Sequence, residues 1–195
     1  ENFPFEKVDY VFTTVHISSY VPVPILEIGS FLQDNDIDRV RKLFARESKD
    51  FLQKYFKKEL FFTDVEGKTK DEVLKNLCRK VEQEKGLPET FTASVLKREE
   101  LTPTDYGNLV ALPHPERAFQ ERAFVAVAVL KEPIFWFRQK VQVVFLTAIG
   151  REEDENLQQF YEATTDLILR PADVQNLIRH PDYDRLIQLL RRAEE

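Results

Sequence analysis

One histidine, His114, lies where the sequence could support chemistry. It follows an apolar stretch, Leu109 to Leu112, and a proline at position 113. Proline donates no ladder hydrogen bond and tends to lie at the end or edge of a strand, so His114 is expected at the rim of a sheet. An imidazole can be a neutral nucleophile near pH 7 and a cation just below it. A guanidinium nearby would suit a phosphoryl group, since arginine holds phosphate oxygens bidentately.

The segment that contains His114 resembles a known family. R-E-x-L-T-P-T begins at Arg98 and A-L-P-H ends at His114. Both motifs are similar to the active-site segment of enzyme IIA domains of the mannitol/fructose class of the bacterial sugar phosphotransferase system. The resemblance, which extends from about Leu60 to about Arg192, implies that His114 accepts a phosphoryl group from phospho-HPr and that Arg98 lies beside it. It also implies that Nε2 is phosphorylated while Nδ1 is hydrogen-bonded to the protein.

The fold prediction is an α/β fold for about residues 57–195, a mixed β-sheet sandwiched by helices, as in the mannitol/fructose-type IIA fold. Near-continuous apolar strands imply a sheet that is covered on both faces. The expected strands are 60–63, 118–130, 134–137 and 141–148.

Helix signals accompany these strands. A capping box at 69–72 begins one helix and Gly86 ends it. Pro88 opens the next helix. The residues of that helix expected to face inward are Phe91, Val95 and, as a further candidate, Leu101.

The N-terminal part predicts strands at 8–15, expected to be buried, and at 21–28. Their pattern resembles the C-terminal half of an enzyme IIB domain, without the half that carries a cysteine in a phosphate loop. Residues 34–56 have helical spacing and predict helices packed on a neighbouring domain, or a linker that also supplies a homodimer contact. The predicted organisation is a partial IIB-like fragment at 1–33, a helical linker at 34–56 and an IIA-like phospho-acceptor domain at 57–195.

Composition excludes several classes of protein. The formal net charge of −6 disfavours nucleic-acid binding by this segment. The single cysteine, Cys78, excludes an intrachain disulfide and fits a reducing cytoplasm. No apolar run approaches the ~20 residues that span a bilayer. We expect neither cofactor nor metal, and because the chain begins at Glu1 and contains no Met, we interpret it as a piece of a longer protein.

Several polar residues near the motif have two interpretations. They could donate hydrogen bonds to phosphate oxygens, or they could be turn residues; these are Thr102, Thr104 and Asn108. His16 and His180 are expected to have structural or surface roles.

The sequence departs from the family pattern at two positions. Pro115 follows the histidine, where members often have Gly. Members used in transport often carry a second histidine at a helix start, and the aligned residue here is Asn156. Asparagine can hydrogen-bond but cannot transfer a proton at neutral pH, which argues against rapid onward transfer to a IIB domain.

The order of segments resembles the C-terminus of transcriptional activators with phosphotransferase regulation domains, of the mannitol- or cellobiose-regulator type. We therefore expect a regulatory phospho-acceptor domain, rather than a turnover enzyme, that contacts phospho-HPr and other domains of the same regulator but neither nucleic acid nor membrane. One alternative is a transport enzyme IIA that passes phosphate from HPr to a IIB domain. Another is a degenerate IIA fold that serves only as an interaction module.

Overall fold

A computed structural model describes residues 8, 10–17, 20–29, 36, 52–151 and 157–191, with the backbone alone for 157–159. The chain forms two compact units, Glu1–Ser48 and Lys49–Glu195. The domain boundaries expected from the sequence stay a prediction, because most of 34–56 lies outside the described residues. Residues 52–55 are helical and lead directly into a strand.

The described part of the first unit is a two-stranded parallel sheet of β1 (Val11–Thr13) and β2 (Ile25–Glu27). Leu26 is buried, whereas the side chain of Phe12 is 43% exposed. The expectation of a buried strand at 8–15 is therefore wrong. Two three-residue strands form too small a sheet to bury the apolar residues of that pattern.

From Phe56 onward, the described residues of the second unit form a strand, two helices, four strands and three helices, in that order. These elements are β3 (Phe56–Phe62), α1 (Lys70–Lys85), α2 (Thr90–Leu101), β4 (Asp105–Gly107), β5 (Val110–Ala111), β6 (Phe124–Phe135), β7 (Lys140–Ala148), α3 (Leu157–Ile168), α4 (Pro171–Arg179) and α5 (Tyr183–Arg191).

Five of the strands form one mixed sheet in the order β3-β6-β7-β5-β4. Strands β3 and β6 are parallel, as are β5 and β7, while the central pair β6 and β7 is antiparallel. Apolar side chains on the two faces of this sheet enter two separate clusters. One contains Phe160, Val174 and Leu186 from the last three helices, and the other contains Leu74, Leu77 and Phe91 from α1 and α2. The predicted α/β fold, a mixed sheet between helices, is confirmed.

Local signals place the ends of α1 as expected. The Thr69 hydroxyl accepts a hydrogen bond from the N–H of Glu72 at 3.3 Å. The Glu72 carboxylate accepts one from the N–H of Lys68, the residue before the N-cap, at 2.8 Å, so Glu72 reaches back over the helix start as in a capping box, one residue earlier than the usual donor. Gly86 ends the helix in the left-handed conformation with φ of 62°.

Two expectations about this unit are wrong. The strands expected at 118–130 and 134–137 form one strand, β6, whose register shifts between Val129 and Ile134. The shift accommodates Pro133, which cannot donate to a ladder. Leu101 was a candidate for the inward face of α2, but it is 69% exposed. Glu99, which is 1% exposed, is the residue of that last turn that faces inward.

Candidate functional site

His114 lies at the end of the sheet to which β5 and β7 both point. Val110 and Ala111 of β5 pair in parallel with Val143 and Val144 of β7. Beyond these pairs, the N–H of Thr147 donates to the carbonyl of Pro113 at 3.0 Å. The carboxyl ends of parallel strands meet at one edge, which is where binding residues of open α/β sheets gather. His114 therefore follows an anchored residue at this edge.

The imidazole of His114 is half-buried and held by one nitrogen. Its Nδ1 lies 3.1 Å from the carbonyl oxygen of Pro115. A carbonyl only accepts hydrogen bonds, so Nδ1 carries the hydrogen in this contact and Nε2 keeps its lone pair. This tautomer presents Nε2 as the nucleophilic nitrogen.

Helix α2 holds the loop that follows the histidine. The Ser94 hydroxyl accepts a hydrogen bond from the N–H of Glu116 at 2.9 Å. The ammonium of Lys97 lies 3.0 Å from the Glu116 carboxylate. Arg98 is one helical turn after Ser94, on the same side of the helix. The helix side that carries Arg98 therefore faces the loop two residues after His114.

The Arg98 guanidinium is partly exposed and is tied to the end of its own helix. Its Nη1 donates to the carbonyl of Thr102 at 3.1 Å. One such bond leaves most of the donors of a guanidinium for an anion. The role of Arg98 beside a phosphoryl group on His114 stays a prediction.

Two of the three polar candidates hold the turn between α2 and the histidine. The N–H and hydroxyl of Thr104 both donate to the Glu99 carboxylate at 2.8 Å. Asn108 has a positive φ of 49°, and its side-chain amide donates to the carbonyl of Ile168 at 2.9 Å. These contacts favour the turn interpretation for both residues. Thr102 is exposed and accepts the Arg98 hydrogen bond through its carbonyl.

Glu99 and Trp136 are part of this framework, and sequence reasoning gave neither a role. The indole N–H of Trp136 donates to Glu99 Oε1 at 2.7 Å. A signal for Glu99 was present, since Phe91, Val95 and Glu99 follow each other at intervals of four along one buried helix face. A carboxylate on an apolar face indicates a specific set of hydrogen-bond donors.

Within the described part of the chain, the other chemical candidates make none of these contacts. His16 and His180 are exposed, and His16 Nδ1 lies 3.4 Å from a Glu27 carboxylate oxygen. Cys78 is buried, and burial raises the pKa of its thiol to about 12. Asn156 lies outside the described residues.

The described residues offer neither a cluster of metal ligands nor a membrane-spanning helix. They contain no group of three or more His, Cys, Asp or Glu side chains that could hold a metal ion. Among the helices described, none has the length and apolar character required to cross a membrane.

A family model decides the affiliation of this chain. The model of the phosphoenolpyruvate-dependent sugar phosphotransferase system, EIIA 2, matches residues 54–193. The chain belongs to this EIIA 2 family. The match includes Arg98, His114 and every element from β3 to α5.

Two curated relatives of this EIIA 2 domain are regulators by name. The probable licABCH operon regulator of Bacillus subtilis is 34% identical over 182 residues, which cover 93% of this chain. The transcriptional regulator ManR of the same organism is 24% identical over 89% of this chain. In each case the chain spans 28% of the length of the relative.

The fold of the EIIA 2 domain is also found among solved structures. The crystal structure of IIA mannitol from Escherichia coli superposes with a TM-score of 0.56 at 16% identity. The superposition covers 70% of this chain and 99% of that structure. The mixed sheet and its helices are therefore the architecture of a complete IIA domain.

Proposed function

We propose that the chain is the phospho-accepting regulatory domain of a cytoplasmic, sugar-responsive transcriptional regulator, and that His114 accepts a phosphoryl group from phospho-HPr. The observation that carries the proposal is the state of the imidazole. Nδ1 faces the carbonyl of Pro115 at 3.1 Å, which leaves the lone pair on Nε2. Membership in the EIIA 2 family and the names of two relatives support the choice of reaction and of context.

The transfer needs little covalent help from the protein. The Nε2 lone pair forms a bond to phosphorus while the bond from phosphorus to the donor breaks, and that electron pair returns to the donor. Such a reaction depends on in-line approach and on positive charge around the moving oxygens. Arg98 supplies the charge in our proposal, and the Pro115 carbonyl holds the ring and stabilises the hydrogen on Nδ1.

Phosphorylation of His114 would act as a local switch. The new group adds roughly two negative charges at neutral pH, close in sequence to Glu116. Like charges repel, so the Lys97–Glu116 ion pair and the loop are the first structure to respond. We propose that other domains of the same regulator sense this change and that the other half of a IIB-like domain is among them.

The experiment is incubation of the full chain with phospho-HPr. We expect one acid-labile phosphoryl group per chain in the wild type and none in His114→Ala. His180→Ala is the matched control, since it removes an exposed histidine from the same unit. His16→Ala and Cys78→Ala should also retain the label. Label that persists in His114→Ala would contradict the proposed acceptor, and absence of label in the wild type would favour an interaction module.

A second measurement separates a regulator from a transport component. The phosphorylated chain is mixed with a IIB domain, and loss of label from His114 is followed. A regulatory domain should keep its label for longer than a transport IIA does. Asn156→His tests the aligned position, and it should speed onward transfer without adding a second stable site. Helix-turn-helix segments encoded upstream would agree with a regulator, whereas membrane spans there would contradict it.

A further inference from the structure

The buried carboxylate of Glu99 connects three segments of the domain. It is 1% exposed and is the only charged side chain buried within the described residues. Its Oε1 accepts from the N–H of Thr104 at 2.8 Å and from the indole N–H of Trp136 at 2.7 Å. Its Oε2 accepts from the hydroxyl of Thr104 at 2.8 Å. Helix α2, the turn before β4 and the segment between β6 and β7 are joined at this one group.

The donors around Glu99 suit an ionised carboxylate. A backbone N–H and an indole N–H can only donate, and both point at the same oxygen. Burial of a charge is costly unless hydrogen bonds compensate for the lost water, and charge-assisted bonds are the strong ones. A carboxylate with three donors meets that condition.

The contacts of Glu99 connect the segments that carry the two residues proposed for phosphoryl transfer. On one side, Arg98 directly precedes Glu99, and its guanidinium binds the carbonyl of Thr102 inside the same turn. On the other side, the carbonyl of Thr104 accepts from the N–H of Leu112 at 3.1 Å, two residues before His114. The turn at residues 102–105, which Glu99 holds, therefore contacts both the Arg98 guanidinium and the segment that leads to His114.

We propose that Glu99 is a positioning residue for phosphoryl transfer to His114. Its carboxylate locks the turn at residues 102–105, and this lock fixes the Arg98 guanidinium relative to the imidazole. The inference rests on the proposed function of His114 as acceptor. Glu99 touches neither the donor nor the phosphoryl group, so it acts through the residues that it holds.

The test compares Glu99→Ala, Glu99→Gln and Trp136→Phe in the full chain with phospho-HPr as donor. Misplacement by about 1 Å can cost about a hundredfold in rate, so we expect Glu99→Ala to lower the rate at saturating phospho-HPr by about tenfold or more. The KM for phospho-HPr should change by less than about threefold, because a residue without exposure does not touch the donor protein. A KM that rises as much as the rate falls would overturn the proposal.

The other two variants separate positioning from simple support of the fold. Glutamine keeps the oxygen that binds the two N–H groups, and its amide can donate to the Thr104 hydroxyl, so Glu99→Gln should restore most of the rate. Trp136→Phe removes one donor but leaves Glu99 on Thr104, so it should lower stability while the rate stays within about threefold of the wild type. Equal loss of rate in Glu99→Ala and Trp136→Phe would overturn the proposal.

Two further measurements keep the test decisive. If Glu99→Ala does not fold, Thr104→Val removes one of the three bonds, and an unchanged rate in that variant would overturn the proposal. Amide hydrogen exchange of Thr104 and Leu112 is a readout without phosphorylation, and Glu99→Gln should protect both amides better than Glu99→Ala. A wild type that phospho-HPr does not label, with this exchange pattern intact, would refute the proposed function and leave the clamp at Glu99 established. Exchange that is identical in all variants would refute the clamp itself.

Discussion

The hydroxyl of Ser94 accepts a hydrogen bond from the backbone N–H of Glu116 at 2.9 Å. This contact connects the middle of α2 to the loop that carries His114. Ser94 is 9% exposed, so the acceptor side of the bond is sheltered from water, although Glu116 is exposed. The helix that bears Arg98 and the loop that bears the imidazole are thereby parts of one framework.

Removal of that hydroxyl should loosen the loop. Ser94→Ala leaves the Glu116 N–H without its partner, at a cost of about 1 kcal/mol in the free energy of unfolding. We also expect slower phosphorylation by phospho-HPr. The matched control is Thr92→Val, which removes the hydroxyl that donates to Glu82 at 2.7 Å near the other end of the same helix. Denaturant unfolding should show similar losses for the two variants, and equal transfer rates in both would contradict a role for the loop contact.

Asn108 should matter for stability more than for transfer. Its amide donates to the carbonyl of Ile168 at 2.9 Å, which connects the β4–β5 turn to the end of α3. Asn108→Asp keeps a side chain that tolerates positive φ but loses the donor. We expect a loss of about 1 kcal/mol or more in the free energy of unfolding, because two acceptors then face each other. A large fall in the rate of phosphorylation, with stability unchanged, would instead support Asn108 as a phosphate donor.

Sequence reasoning succeeded where a local pattern has one physical solution. The capping box at Thr69, the stop at Gly86 and the apolar runs of β6 and β7 each specify structure within a few residues. The motif around His114 led to the family because residue types at fixed spacing can be identified from the sequence, without knowledge of the contacts that the residues make. The rim position of His114 followed from Pro113 in the same way.

Long-range hydrogen bonds decided what the sequence could not. Nothing local indicates that Glu99 meets Trp136, which is 37 positions away, so Glu99 was left without a role and Leu101 was a candidate for the inward face of α2. Pro133 locally favours the end of a strand, but pairing with β7 continues on both sides of it. The two strands expected at 118–130 and 134–137 therefore form the single strand β6. Both errors concern residues whose partners come from other elements.

Gly150 should tolerate no side chain. A Cβ at this position would collide with the carbonyl oxygen of Glu121 and would lie 2.7 Å from the N of Ala123. Both neighbours are backbone, so Gly150→Ala forces the segments that flank β6 and β7 apart, at a cost of about 1–3 kcal/mol in unfolding free energy. Gly86→Ala is the control, because it meets nothing within 4 Å and costs about 1 kcal/mol for its positive φ. Thermal unfolding that finds Gly150→Ala the milder of the two would contradict the close approach.

Cys78 should be chemically silent in the folded protein. Burial raises the pKa of its thiol to about 12, so the reactive thiolate is scarce at pH 8. Iodoacetamide should label the chain only after unfolding in urea. The unfolded thiol ionises near its ordinary pKa of 9.0, whereas the folded thiol ionises near 12. The contribution of Cys78 to the free energy of unfolding is therefore constant below about pH 9 and falls as the pH rises from about 9 to about 12. Rapid alkylation of the native chain at pH 8 would show that the thiol is accessible.

Arg98 and Lys97 offer a direct comparison of two adjacent cations. Lys97 is 67% exposed and is paired with Glu116, whereas Arg98 donates to the Thr102 carbonyl and keeps donors for an anion. If Arg98 neutralises the moving phosphoryl group, Arg98→Ala should slow phosphorylation of His114 by about a hundredfold or more, in the range found when one oxyanion donor is removed. Lys97→Ala should change the rate little, and exposed ion pairs contribute only about 0–1 kcal/mol to stability. The rate of Arg98→Lys should lie between those of the wild type and Arg98→Ala, because an ammonium keeps the charge but not the bidentate geometry.

The measurement is the rate of label transfer from phospho-HPr at fixed ionic strength, with denaturant unfolding to confirm that each variant folds. A rate that falls equally in Lys97→Ala and Arg98→Ala would indicate general attraction of the donor and would refute a specific role for Arg98.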